Sequence, residues 1–303
     1  MNISAIIPSL NAVSVLEPLV TSLRGQTMPL RVIIVVDSES TDGTSQLAQD
    51  LGCTVLPIAR TDFNHGGTRN FASIHAQGDI LVFMTQDVVL ENPKALEEIV
   101  LPFSDPAVGA VCGRQLPKRD ANPLAAHARL FNYPPESCIK TKADIPRLGI
   151  KVPFVSNSFT AYRRSALFDV GGFPTPVVLS EDMHVAAKMI LAGYSVAYAG
   201  QAEVRHSHNY TLWQEFQRYF DIGSFHAAYP WIQEEFGNAG GEGWRYLRSE
   251  LAYARKHGLY WVARSFVSCF FKFSGFSLGK RHSFLPRAWK RYFGMNKNYW
   301  TIR

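Results

Sequence analysis

Short apolar runs alternate with stretches of helical periodicity over the first 113 residues. Ile3 to Pro8 is apolar and partly β-branched, as a buried strand requires. Val13 to Arg24 sets Leu16, Val20 and Leu23 on one helical face. Arg31 to Val36 predicts a second buried strand, stopped by Asp37. Asp42-Gly43-Thr44 predicts a turn and a helix running to about Leu51. Cys53 to Ile58 is a third strand, Gly67 to Ala76 a helix and Ile80 to Met84 a fourth strand. Pro93 to Leu101 is a helix with Pro in its first turn, and Val108 to Cys112 a fifth strand. This alternation predicts an α/β fold with a mainly parallel central sheet covered on both faces. Ligands of such sheets bind beyond the carboxyl ends of the strands, where Asn11, Asp37 and Asp87 fall.

The pattern then loosens. Residues 114–152 are irregular and rich in Pro and Lys, with one helix near Pro123 to Phe131. Val152 to Ala161 reads as strand, and Glu181 to Ala192 as helix. Ser195 to Ala199 and Ala202 to Arg205 read as two short edge strands. From about Tyr210 the chain becomes aromatic, basic and helical. The expected organisation is therefore a domain over 1–210, with halves 1–113 and 114–210, followed by a helical region over 211–303. The longest apolar stretch, Leu259 to Leu278, contains Arg264 and Lys272 and is not expected to span a membrane.

Composition narrows the class. With 47% hydrophobic and 18% charged residues, the chain is globular rather than disordered or fibrous. Four cysteines far apart suit neither a zinc site nor a disulfide framework, and reduced thiols fit a cytoplasmic protein. Met1 to Leu10 lacks the basic leader of a signal peptide. The net charge of +6 hides an asymmetry: 13 Lys/Arg stand against one Glu from Arg245 onward, a net +12, which leaves residues 1–244 at −6. Such a tail seeks an anionic partner, membrane phospholipid or nucleic acid. No recognised nucleic-acid motif accompanies it, so nucleic acid is not expected.

Each candidate residue has a bland role beside its chemical one. Asp37 can accept from a nucleobase or ribose, whereas Asp42 serves equally well as a helix cap. The first turn, Pro8-Ser9-Leu10-Asn11, lacks Gly-x-Gly-x-x-Gly, which argues against a dinucleotide oxidoreductase. Asn64-His65-Gly66-Gly67-Thr68-Arg69-Asn70 opens a helix where Arg69 could hold phosphate, or it is an ordinary loop. Asp87 after a strand suits Mg²⁺ or Mn²⁺ bridging a diphosphate. Glu181-Asp182 starts a helix, where acids favour the dipole. Two adjacent carboxylates also repel, which raises one toward the range of a general base. His206 and His208, two apart on an extended segment, share a face and could both reach one metal or phosphate.

Taken in order over residues 1–210, these motifs resemble family 2 glycosyltransferases of the GT-A fold. Ile-Ile-Pro-Ser-Leu-Asn is similar to that family's first strand, and Val-Asp-Ser-Glu-Ser-Thr-Asp-Gly-Thr to its nucleotide-binding turn. Phe63 to Asn70, Thr85-Gln86-Asp87 and His206-Ser207-His208-Asn209-Tyr210 resemble bacterial rhamnosyltransferases of O-antigen synthesis, which use dTDP-β-L-rhamnose. The resemblance implies donor contacts at Ser9, Asn11, Asp37, Arg69, Gln86 and Asp87. It implies a metal at Asp87, His206 and His208, acceptor contacts at Asn157 and Glu181, and Asp182 as the base. Many family members carry Asp-x-Asp. Here the stretch is Thr85-Gln86-Asp87-Val88, so one carboxylate is missing and Gln86 is expected to substitute by donating to a phosphate or sugar oxygen.

The expected function is an inverting transfer of a sugar onto a saccharide or lipid-linked acceptor. The basic, aromatic tail is expected to rest on the inner face of the cytoplasmic membrane. Its alternative role is to pack on the core or at a subunit interface. Two other classes compete. A sugar nucleotidyltransferase would need a Gly-rich, basic loop after the first strand. A degenerate scaffold would bind the sugar nucleotide without turning it over.

Overall fold

In the computed structural model, which describes residues 1–237 and 241–302, the first apolar runs form β1 (Ile3–Ser9), β2 (Val32–Asp37), β3 (Thr54–Pro57) and β4 (Ile80–Met84). Helices α1 (Val13–Arg24), α2 (Thr44–Asp50) and α3 (His65–His75) separate them. The strands lie in the order β3-β2-β1-β4 and are all parallel. β1 and β4 are buried almost throughout, which is why their sequences read as continuous rather than alternating apolar runs.

The chain continues through β5 (Val89–Leu90), α4 (Ala95–Val100), β6 (Val108–Leu116), α5 (Pro123–Asn132), β7 (Cys138–Lys140) and α6 (Ile145–Leu148). β8 (Phe159–Arg163), α7 (Arg164–Asp169), α8 (Glu181–Leu191) and β9 (Ser195–Arg205) complete one nine-stranded sheet. Its order is β3-β2-β1-β4-β8-β6-β9-β5, with β7 also on β9. β8 runs antiparallel between β4 and β6, while β6 and β9 are parallel. The expected parallel arrangement thus holds in the first half, and the second half is mixed.

Three expectations need correcting. The stretch from Val152 is not strand until Phe159: Val152 and Val155 are buried in turns, and only Phe159–Arg163 pairs. The two edge strands at 195–205 are one continuous strand, and it is interior. Gly200, between the two expected strands, stands where a Cβ would run into the Pro135 carbonyl. α3 begins at His65 rather than Gly67, because the Asn64 side chain caps it by accepting from Gly66 N–H and Gly67 N–H, both at 3.1 Å.

The C-terminal region is helical, as its periodicity predicts: α9 (Leu212–Ala228), α10 (Trp231–Phe236), α11 (Glu242–Arg255), α12 (Leu259–Gly279), α13 (Arg287–Phe293) and α14 (Lys297–Ile302). α9 and α12 cross closely, since a Cβ at Gly223, Gly275 or Gly279 would strike the facing helix backbone. Phe220, Phe225, Ile232, Phe236 and Trp300 join the same buried cluster as Phe83 and Tyr162 of the sheet. Asp221 ties the end of the chain down, accepting from Trp300 Nε1–H at 2.8 Å and from the backbone of Met295 and Asn296. Among the described residues no helix is long and apolar enough to cross a membrane. Arg303, counted in the basic tail, lies outside the described residues.

Candidate active site

Parallel pairing sets Ser9 opposite Asp37, so β1 and β2 end side by side. Asp37 is buried; Oδ2 accepts from Ser40 N–H at 3.2 Å, and Oδ1 has no partner. Asn11 takes a left-handed turn at φ 48° and accepts from Thr41 N–H at 3.0 Å. Ser9 is buried beside them, its hydroxyl on the Ile7 carbonyl. Asp42 is the cap that the alternative reading foresaw: it accepts from Thr44 N–H, Thr44 Oγ1–H and Val13 N–H. Gln86 does not stand where the sequence suggested. Its Oε1 accepts from Leu10 N–H at 2.8 Å and its Nε2 donates to Leu10 O at 3.1 Å, so it braces the turn between β1 and α1.

The metal candidates do converge. Oxygen and nitrogen atoms of Asp87, His206 and His208 all lie within 4.8 Å of one another. The two-residue β5 brings this about. Val89 and Leu90 pair with Arg205 and Val204, and Arg205 clamps Glu91 through two bonds of 2.5 and 2.6 Å. Asp87, just before β5, is thereby held against His206, just after β9. His206 Nδ1 lies 2.9 Å from Gln115 Oε1, which assigns the ring hydrogen to Nδ1. Burial holds this imidazole down to about 3, so it is neutral near pH 7. Its Nε2 is buried, has no hydrogen-bond partner and faces Asp87 Oδ1 at 3.5 Å. Two acceptor atoms facing each other without a hydrogen fit a cation between them. Burial opposes the charge on Asp87, but neighbouring positive charge, the Lys118 ammonium at 2.7 Å included, outweighs it and holds the carboxyl below its ordinary range.

The acid pair lies at the start of α8. Ser180 adopts φ 58°, unusual for a non-glycine residue, and this turns Glu181 and Asp182 into the first helical turn. Glu181 is buried, 3.2 Å from Arg69 and 3.0 Å from the Asn157 amide. Burial pushes Glu181 up, but Arg69, His65 and Asn157 more than offset that and keep it charged. Asp182 accepts from Asn157 N–H at 3.0 Å and from its own neighbour Met183 N–H at 2.8 Å. Burial and then the Glu181 charge push Asp182 up to about 6. That is the range of a general base working near neutral pH.

This network redirects three expectations. Arg69, expected at the donor phosphates, is buried against Glu181 and donates to His65 O at 3.0 Å. Its helix start is closed by the Asn64 cap and by Pro174, whose carbonyl lies where a Cβ on Gly66 would go. Asn157 and Glu181, expected to touch the acceptor, are both buried and bound to each other, with Tyr162 O–H donating to Asn157 Oδ1 at 2.9 Å. They position Asp182 from behind.

Sequence reasoning missed Lys118 and Gln115. Both lie at the end of β6, which the apolar run ended four residues too early. Pro117, which cannot donate to a ladder, was the available signal for that strand end.

A donor turn at β1 and β2, an open carboxylate–imidazole cluster and a separate tuned acid on one mixed sheet define a glycosyltransferase of the GT-A fold. The family described as Glycosyl transferase family 2 matches residues 4–171. The chain belongs to that family, and it is an inverting glycosyltransferase. It is 51% identical to the O-antigen chain rhamnosyltransferase RfbN of Salmonella typhimurium, over 99% of this chain and 96% of the relative. It is 53% identical to the O-antigen chain rhamnosyltransferase WbaN of Salmonella anatum, over 91% of this chain and 88% of that one. Among solved structures it is similar to the mannosyltransferase PcManGT from Pyrobaculum calidifontis in complex with GDP-Man and Mn²⁺. That match has a TM-score of 0.60 and 21% identity, and covers 99% of this chain and 85% of that one, so it bears on the fold alone.

Proposed function

We propose that this enzyme transfers L-rhamnose from dTDP-β-L-rhamnose to a hydroxyl of a saccharide or lipid-linked acceptor in cell-surface polysaccharide synthesis. Near-full-length identity above 50% to two proteins named O-antigen chain rhamnosyltransferase carries this reading. Ser9, Asn11 and Asp37 receive the base and ribose, with Asp37 Oδ1 as the free acceptor atom. Asp87, His206 and His208 are the residues that would hold a divalent ion for the donor diphosphate. Two imidazoles in the set favour Mn²⁺ over Mg²⁺, which prefers oxygen. When bound, the ion neutralises charge on the diphosphate. Arg69 acts on the base through Glu181 rather than on the donor directly.

Asp182 accepts the proton of the acceptor hydroxyl. The hydroxyl oxygen forms its bond to the anomeric carbon from the face opposite the diphosphate. The electron pair of the breaking carbon–oxygen bond leaves with dTDP, and the β-linked donor yields an α-rhamnoside.

The enzyme works at the inner face of the cytoplasmic membrane, through the outer side of α12. Leu259, Phe266, Phe270 and Phe273 form an apolar stripe there, each more than half exposed, and Phe284 and Trp289 further along the chain are more than half exposed too. An exposed patch of this kind marks a partner surface, and the net positive charge of the region from Arg245 onward suits an anionic bilayer.

A thermal-shift panel tests the donor. Stabilisation grows as RT ln(1 + [L]/Kd), so dTDP-rhamnose with Mn²⁺ is expected to raise Tm above UDP-glucose and GDP-mannose. Equal shifts for all three would reject the donor assignment.

A further inference from the structure

A cleft of about 250 Å³ between α5, α9, α11 and α12 has His208, one of the proposed metal ligands, on its lining, and none of its other lining residues has a role in the chemistry above. Arg129, Arg218, Arg264 and Lys272 line it, against the single carboxylate of Glu215. Lys272 is compensated, with Nζ 3.5 Å from Glu215 and 3.9 Å from Glu250. Arg264 gives one N–H to the Tyr210 carbonyl at 3.1 Å. Arg129 and Arg218 make no ion pair among the described residues. Arg129 Nε is buried without a hydrogen-bond partner. Two guanidinium groups held in a cleft without an anion are costly, and their planar forks match phosphate oxygens.

We propose that this cleft is a phosphoryl subsite, taking the phosphate or diphosphate that joins the acceptor saccharide to its carrier. The donor phosphates already have Asp87, His206 and His208, and the nucleotide has the turn between β1 and β2. The cleft is walled by α5 together with the C-terminal helices α9, α11 and α12, and it borders the proposed metal site only at His208. α12 supplies Arg264 and Lys272 on its inner face and the exposed apolar stripe on its outer face. One helix therefore meets both ends of a lipid-borne phosphate. The inference rests on the glycosyltransferase reading with a carrier-linked acceptor, and not on the identity of the donor.

The test uses the full chain and inorganic pyrophosphate, titrated calorimetrically in EDTA so that no ion bridges it to Asp87. The wild type is expected to bind. Arg129→Gln combined with Arg218→Gln is expected to weaken binding by about tenfold or more, as the loss of hydrogen bonds to a charged group implies. The Arg129→Lys, Arg218→Lys pair keeps the charge without the forks and is expected to recover part of the affinity that the glutamine pair loses, which separates lost charge from lost folding. Affinity of the glutamine variant for dTDP with Mn²⁺ is expected to stay within about twofold of wild type. In kinetics, KM is expected to rise for a saccharide acceptor bearing a diphosphate and not for the same saccharide as a methyl glycoside. Unchanged pyrophosphate affinity in the glutamine variant would overturn the proposal. So would a parallel loss of dTDP affinity, which would give the arginines to the donor. If dTDP fails to bind the wild type, the donor assignment falls instead, and the pyrophosphate titration still decides the cleft.

Discussion

The enzyme keeps its acids at two sites that the fold treats in opposite ways. Around Asp182 the carboxylates and the amide are all paired, Arg69 Nε being the one buried atom of the network without a partner: Glu181 has Arg69 and Asn157, Asn157 has Tyr162, and Asp182 accepts two backbone N–H groups. Around Asp87 it leaves atoms unsatisfied, with His206 Nε2 buried and unpartnered opposite Asp87 Oδ1. A closed network fixes geometry and tunes one proton affinity, as a base requires. An open cluster of acceptor atoms awaits a ligand of positive charge. The contrast supports the proposal that one site serves proton transfer and the other charge neutralisation, from the same residue type.

The largest effect should follow from removing the base. Asp182→Asn is expected to lose about 10²–10⁴-fold in kcat while donor affinity survives, checked by initial rates and nucleotide titration. Near wild-type turnover would dissolve the contrast between the sites. A smaller loss is expected at the open site's support. Gln115→Ala frees the His206 ring, and Mn²⁺ affinity should fall about 10–100-fold by spectroscopic titration.

A pH profile sharpens the contrast further. Asp182 must be deprotonated to act, and its raised pKa puts the acid limb of kcat near 6, with rate falling as pH drops below it. In Glu181→Gln the neighbouring negative charge is gone and Arg69 stays positive. Both changes favour the charged form of Asp182, so the limb should move to lower pH. A limb that stays in place would mean that Glu181 does not tune the base. The smallest effect is expected far from both sites. Phe266→Ser with Phe270→Ser should weaken flotation with anionic liposomes while turnover on a water-soluble acceptor is unchanged.

The two sites differed in how far the sequence revealed them. The parallel half was legible because β1, β2 and β4 are continuous buried runs, and Asp37 and Asp87 follow directly from the rule about strand ends. The metal cluster was legible as a residue set but not as a geometry, because it depends on β5, two residues long and too short to show any period. The bracing of Asp182 was not legible. Arg69 and Glu181 are 112 positions apart, and their pairing depends on the close packing of α3 against the turn at Phe173 to Pro176. That packing turned a residue with the look of a phosphate ligand into the partner of an acid. The split of β9 had a similar cause, since Gly200 answers to a neighbour 65 positions earlier and not to a turn.

The division of labour between the two sites is tested most directly by titrating Mn²⁺ against the wild type, Asp87→Asn and Asp182→Asn in the presence of dTDP. Asp182→Asn is expected to bind the ion as the wild type does, whereas Asp87→Asn is expected to lose it. Loss of the ion in Asp182→Asn with retention in Asp87→Asn would contradict that division.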